Sequence, residues 1–153
     1  MNHDQIKEII QNIFKHTGCS ITSCEISQDQ DTLWCVVETP DSRLLIGRDG
    51  ETLQSLNHLV RRMINSQSET ERSNLCIDIN GYQKKHFDEI KAKAHMFSER
   101  ARYFKSSVET EPLPAYDRRI IHLFLENVDD IETESTGLGK DRRVVIRYKE
   151  NIL

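Results

Sequence analysis

Ile6, Ile9, Ile10, Ile13 and Phe14 recur at three- and four-residue intervals, so the spacing predicts an amphipathic helix over residues 4–16, closed by Gly18. Two short runs rich in β-branched and apolar residues follow, 20–28 and 32–39. The polar Gln28-Asp29-Gln30-Asp31 separates them, and together they read as a hairpin. Pro40-Asp41-Ser42 breaks the second run. A second helical stripe, Leu53, Leu56, Val60, Met63 and Ile64, predicts a helix of about residues 51–66. Past a polar loop from Ser66 to Ser73, Leu75, Ile77 and Ile79 alternate with Cys76 and Asp78, the pattern of a strand with one buried face. The order is α-β-β-α-(α)-β, a three-stranded sheet with helices on one face.

Asn80-Gly81 is a natural boundary, dividing the chain into residues 1–80 and 81–153. Beyond it a longer helix is expected from Lys84 to about Lys105, with Phe87, Ile90, Ala94, Phe97, Ala101 and Phe104 on one side. Val108 to Leu113 suggests a short strand. Pro114 fits the first turn of a helix running to about Val128. Ile131 to Ser135 and Val144 to Lys149 then form a hairpin around Gly137-Leu138-Gly139-Lys140-Asp141. The fold class is α+β, built as two small domains.

Composition narrows the function. The chain has 153 residues, 37% hydrophobic and 30% charged, enough for two modest cores. No apolar run approaches the roughly 18 residues of a membrane span. Met1-Asn2-His3-Asp4-Gln5 lacks the basic segment and apolar stretch of a signal peptide, so none is expected. Cys19, Cys24, Cys35 and Cys76 fit no zinc spacing and read as buried free thiols, so neither metal nor cofactor is expected. His58, His86, His95 and His122 stand beside no nucleophile motif and no His-x-x-x-His–carboxylate pattern, and no catalytic residue is assigned. The net charge of −4 is unevenly spread. Residues 1–80 hold seven Lys/Arg against twelve Asp/Glu, a balance of −5, and residues 81–153 hold fourteen against thirteen, a balance of +1. Any attraction for phosphate belongs to the second half.

Two constellations carry candidate chemistry. In Leu44-Leu45-Ile46-Gly47-Arg48-Asp49-Gly50-Glu51, a Gly-x-x-Gly turn opens the second helix. Two residues without a Cβ allow close approach to something extended, and a helix N-terminus presents free N–H groups and a positive dipole end. KH domains clamp single strands with such a loop, while an ordinary strand-to-helix turn would leave the same four residues. In the second half, Arg118 and His122 lie four residues apart, adjacent on one helix face at the edge of a buried side formed by Ile120, Ile121, Phe124, Leu125 and Val128. A guanidinium and an imidazole there can bind phosphate and stack on a base. Equally, His122 can be a half-buried helix residue and Arg118 a partner of Asp117 or Glu126. The turn that follows adds Lys140, Arg142 and Arg143.

The run from Leu113 to His122 closely resembles the Arg-x-x-x-His single-stranded nucleic-acid-binding domain, as does Glu134 to Ile146. A KH-like segment followed by such a domain resembles the bacterial Jag family, also called KhpB or SpoIIIJ-associated, over about residues 4–149. The resemblance implies a cytoplasmic, non-catalytic RNA-binding protein and post-transcriptional regulator linked to cell elongation and division. The implied partners are single-stranded RNA, with DNA left open, and a small single-domain KH protein (KhpA-like), or self-association through the KH-like half. The family's binding positions carry over to Gly47, Arg48 and Gly50, with Asp49 inside the loop. They also carry over to Arg118, His122 and Arg142, with Lys140 and Arg143 beside them. Two departures stand out. The family often has a separate N-terminal Jag domain, whereas this chain starts at the KH-like helix. Its loop also holds Asp49 and then Glu51, carboxylates that repel phosphate or cap the following helix. The KH-like half is therefore expected to bind weakly or to serve partly in dimerisation. The alternative function is an interaction adaptor that binds nucleic acid weakly or not at all alone.

Overall fold

The computed structural model describes residues 1–29, 32–67 and 74–150. The expected turn residues Gln30 and Asp31 and most of the polar loop, 68–73, lie outside the described residues. The chain divides into two compact units, Met1–Lys84 and Lys85–Leu153, a division four residues beyond Asn80-Gly81.

The first unit runs α1 (His3–Thr17), β1 (Ser23–Asp29), β2 (Thr32–Glu38), α2 (Ser42–Ile46), a single 3₁₀ turn (Arg48–Gly50), α3 (Glu51–Ser66) and β3 (Asn74–Ile79). The bracketed extra helix of the expected order lies before the Gly-x-x-Gly turn rather than after the 51–66 helix. Leu44, Leu45 and Ile46, given no element in the sequence pattern, belong to α2, so the turn joins two helices rather than a strand and a helix. Asn2 starts α1 with a reciprocal capping box to Gln5, and Gly18 closes it in the left-handed conformation. The sheet order is β1-β2-β3, β1 antiparallel and β3 parallel to β2. Ile6, Ile10, Phe14, Leu53, Val60 and Ile64 of the helices pack on Cys35, Val37, Leu75, Ile77 and Ile79 of the sheet.

Asn57 on α3 is buried among these residues and guards the open edge of β3. Its Nδ2 donates to the Leu53 and Ile77 carbonyls at 3.1 and 3.2 Å, and its Oδ1 accepts the Ile77 N–H at 2.6 Å. Arg61, one turn on, donates from Nε to the Leu75 carbonyl at 2.7 Å. Two side chains of α3 stand where a fourth strand would pair, which satisfies the edge and blunts it.

The Asn80-Gly81 boundary is a fastened turn. Asn80 accepts the Thr39 N–H through Oδ1 and donates through Nδ2 to the Thr39 carbonyl, both at 2.9 Å. The buried Asp78 carboxylate accepts the N–H of Gln83 at 2.9 Å and of Lys84 at 3.3 Å, capping the next helix, α4 (Tyr82–Phe104). Such a cap contributes about 1 kcal/mol.

The second unit continues with β4 (Ser107–Glu109), α5 (Ala115–Leu125), β5 (Ile131–Thr136) and β6 (Arg143–Tyr148), sheet order β4-β6-β5 and antiparallel throughout. Ile90, Ala94 and Ala101 of α4 and Ile120, Ile121 and Leu125 of α5 close on Ile131, Val144 and Ile146. Arg102 reaches Asp130 with two bonds, Nε to Oδ2 at 2.6 Å and Nη2 to Oδ1 at 2.8 Å, and also contacts Glu99. Several expectations shift. Phe104 is 64% exposed, stacked edge-on against Tyr103, because α4 ends at it and the chain turns through Lys105 at φ +49. Phe124 also leaves the core and lies 38% exposed, with the Lys91 ammonium 5.9 Å from its ring centroid. Pro114 is the cap before α5 rather than its first residue, and α5 stops at Leu125. The short strand ends at Glu109, but Thr110 and Leu113 still donate to the Val144 and Arg142 carbonyls.

Candidate nucleic-acid interface

In the first unit the Gly-x-x-Gly turn is rigid for steric reasons. Gly47 closes α2 with its N–H on the Arg43 carbonyl at 3.2 Å and has φ +73 and ψ −171, a conformation suited only to glycine. A Cβ there would lie 2.1 Å from Thr52 Oγ1. Asp49 has φ +51, which aspartate tolerates better than most residues. Gly50 is buried, and a Cβ on it would meet the Tyr82 ring at 3.1 Å. Arg48 and Asp49 are left exposed on a turn gripped at both glycines. No side chain caps α3, so neither Asp49 nor Glu51 takes the capping role that their placement allowed.

In the second unit α5 lays His122 against the inner face of β5. One imidazole nitrogen lies 2.7 Å from Thr133 Oγ1 and the other 2.8 Å from Ser135 Oγ. A neutral ring has one donor and one acceptor, and two hydroxyls can supply both complements. Burial lowers the His122 pKa, and the nearby Arg118 charge lowers it further. His122 is therefore a neutral, positioned ring that offers its face rather than a charge.

Arg118 does not pair with Asp117 or Glu126. Its Nη1 donates to the Leu113 carbonyl at 3.3 Å, while Asp117 is buried against His86, Oδ1 to Nε2 at 2.8 Å. Leu113 in turn donates its N–H to the Arg142 carbonyl at 3.0 Å, so one residue ties the start of α5 to the β5–β6 turn. Arg142 donates from Nη1 to the Gly137 carbonyl at 3.4 Å. Gly137 has φ +91, and a Cβ there would stand 2.9 Å from the Asp141 carbonyl oxygen. Arg118 is thus linked to Arg142 through Leu113, and its charge reaches His122. Arg143 turns away, with Nη1 3.8 Å from Glu109 and Nε on the Asp141 carbonyl. Lys140 is exposed on the turn.

Thr133 and Ser135, the partners of His122, went unnoticed in the sequence. The signal was there: hydroxyls at alternate positions after Ile131 put polar groups on the buried face of a strand. The His86–Asp117 pair left no such signal, since its residues are 31 positions apart.

The lowered His122 pKa has a stability consequence. Below its ordinary value the unfolded chain takes up a proton that the folded ring resists, so stability falls as pH drops below about 6.5. His122→Gln removes this contribution. Thermal unfolding of the two proteins between pH 7.5 and 5 should show a shallower decline for the variant; equal slopes would contradict the assignment.

Residues 87–148 match the R3H domain family, a span that includes Arg118, His122 and Arg142. The chain is 28% identical over 147 residues to a protein named RNA-binding protein KhpB from Clostridium symbiosum, covering 95% of this chain and 66% of that one. It is 28% identical over 126 residues to the Bacillus subtilis (strain 168) protein of the same name, covering 81% and 60%. A third KhpB, from Lactiplantibacillus plantarum, is 26% identical over 113 residues, 74% and 35% of the two chains. The chain is therefore similar to KhpB proteins over nearly its whole length, and its second unit matches the R3H family. It spans just under two thirds of the length of the first KhpB relative and less of the others. An alignment over 95% of the chain necessarily includes the Gly47–Gly50 turn, so the likeness to KhpB covers both units.

Proposed function

We propose that this chain binds single-stranded RNA in the manner its KhpB relatives' name describes, with the second unit providing most of the electrostatic attraction. One observation carries this reading. Arg118 and Arg142 donate to main-chain carbonyls, whereas Arg102, Arg143 and Arg147 all face carboxylates. The first two keep their charge for an outside anion, and Arg118 lies close enough to the neutral ring of His122 to lower its pKa. Guanidiniums gripping phosphates beside a ring that stacks on a base is a common form of single-strand recognition. Catalysis has no place in this reading.

The Gly-x-x-Gly turn contributes a second, weaker contact for the backbone, with Gly47, Arg48 and Gly50 on the strand's path and Asp49 opposing it. Fluorescence anisotropy of a labelled single-stranded RNA across a salt series tests the whole reading. Affinity should fall steeply with salt, and no binding at low ionic strength would defeat it. Asp49→Asn removes the repulsion and, unlike lysine, keeps a residue type that accepts φ +51. It should tighten binding by about 2- to 5-fold at low salt, the gain fading as salt screens it.

The same reading places the protein in the cytoplasm as a post-transcriptional regulator connected to cell elongation and division, paired with a small KH protein. Among the described residues no helix is long and apolar enough to cross a membrane. The balance of −5 over residues 1–80 supports an adaptor role as the second reading. In that case the pure protein would bind no RNA yet co-elute with a small KH partner.

A further inference from the structure

We propose that Cys24 and Cys35 form a peroxide-oxidisable dithiol, a reversible modification site inside the first unit. In the β1–β2 ladder Cys24 lies opposite Val37 and Cys35 opposite Ile26, so the two cysteines are diagonal neighbours on the same face. Their sulfurs are 3.6 Å apart and share a hydrogen bond. All four cysteines are buried thiols, none of them in a disulfide, but Cys24 lines an open cavity of about 600 Å³ bordered by Lys7, Lys15, Cys19 and Glu25. A small oxidant can reach Cys24 through that opening, while Cys35 lies behind it with no exposed surface.

The electrostatics divide the roles. The hydrogen bond from Cys35 draws the Cys24 thiol down to about 7, Lys7 assisting and burial opposing. The same bond and burial push Cys35 up, so it holds its proton. A thiolate is the reactive form towards peroxides.

The chemistry balances. The Cys24 thiolate attacks one oxygen of hydrogen peroxide, the O–O bond breaks, and the sulfur becomes a sulfenic acid while the departing hydroxide takes a proton to leave as water. The Cys35 sulfur then attacks the sulfenic sulfur, and an S–S bond forms as the S–O bond breaks. The proton from Cys35 and the released hydroxide leave as a second water. Two thiols lose two electrons and one peroxide becomes two waters. Cys76 is set on the opposite face of the sheet, across from Trp34, and so does not compete for Cys24.

Peroxide treatment of the native full chain, alkylation of remaining thiols, and peptide mapping test the assignment. The expected result is a linked peptide pair containing Cys24 and Cys35, a mass loss of about 2 Da, and return to the starting mass with dithiothreitol. In Cys35→Ser, whose hydroxyl keeps a donor beside Cys24, a sulfenic acid should persist and be trapped by dimedone; wild type should trap little. Cys24→Ser should react with peroxide about tenfold more slowly. A Cys19–Cys24 link, a link between chains, or four unreacted thiols would overturn the proposal. Mapping of the unmutated chain needs no variant, so poor folding of either variant leaves the proposal falsifiable.

Discussion

Replacing Arg118 and His122 together with alanine should weaken single-stranded RNA binding by about 10- to 100-fold at low salt, the range expected when one phosphate grip and one base contact of 1–3 kcal/mol are lost. The two residues act differently, and the single variants should separate them. Arg118 carries a full charge that the Leu113 carbonyl leaves uncompensated. Arg118→Ala should therefore lower affinity and also reduce the salt slope by about one unit, one phosphate contact fewer. His122 is kept neutral by burial and by Arg118, with both nitrogens occupied by Thr133 and Ser135. His122→Ala should lower affinity while leaving the slope in place, because a ring face attracts a base whatever the ionic strength. Anisotropy titrations at four or more salt concentrations would read both quantities. A double variant that binds like the wild type would remove this surface from the reading and move the interface to the first unit.

Asn57→Leu should destabilise the first unit by about 2–4 kcal/mol, although leucine is similar in size and more apolar. The reason is the edge of β3. The Ile77 N–H and carbonyl both end on the Asn57 side chain, and Asn57 is only 5% exposed, so water cannot easily replace it. Leucine strands both backbone groups in an apolar surround, each costing about 1–3 kcal/mol, partly offset by the favourable burial of the leucine side chain. The chain has one tryptophan, Trp34 on β2, so its fluorescence during urea unfolding reports on the first unit alone. An unchanged midpoint would mean that the β3 edge finds other partners. Arg61→Leu, which removes one bond at the rim of the same edge, should have a smaller effect.

Much of the fold was legible because its signals are local. The stripes Ile6–Phe14 and Leu53–Ile64, the alternation Leu75–Ile79 and the Gly18 stop each arise from a few neighbouring residues, and each element formed where its pattern lay. Cys76 and Asp78 are buried too, however, so β3 has two buried faces rather than the one its alternation suggested. The basic residues were legible as a set but not as a site. Arg118, Arg142, Arg143 and Lys140 look alike in sequence, yet the fold points Arg143 at Glu109 and leaves Arg118 and Arg142 on carbonyls. Short helices and helix ends were the weak point. α2 has five residues, too few for a periodic stripe, and Phe104 sits in phase with a core it does not join because the helix stops there.

By itself the sequence determined the α+β class, the two-part organisation, the Gly-x-x-Gly turn and the helix bearing Arg118 and His122, since each depends on periodicity, glycine placement or short-range spacing. Tertiary structure alone decided which groups meet across long separations: Asn57 with Ile77, His122 with Thr133 and Ser135, Asp117 with His86, and Cys24 with Cys35. Hydrogen bonding, burial and charge compensation act through space, so the protonation state of a histidine, the availability of an arginine and the reactivity of a thiol become defined only when the sheet and helices close around them.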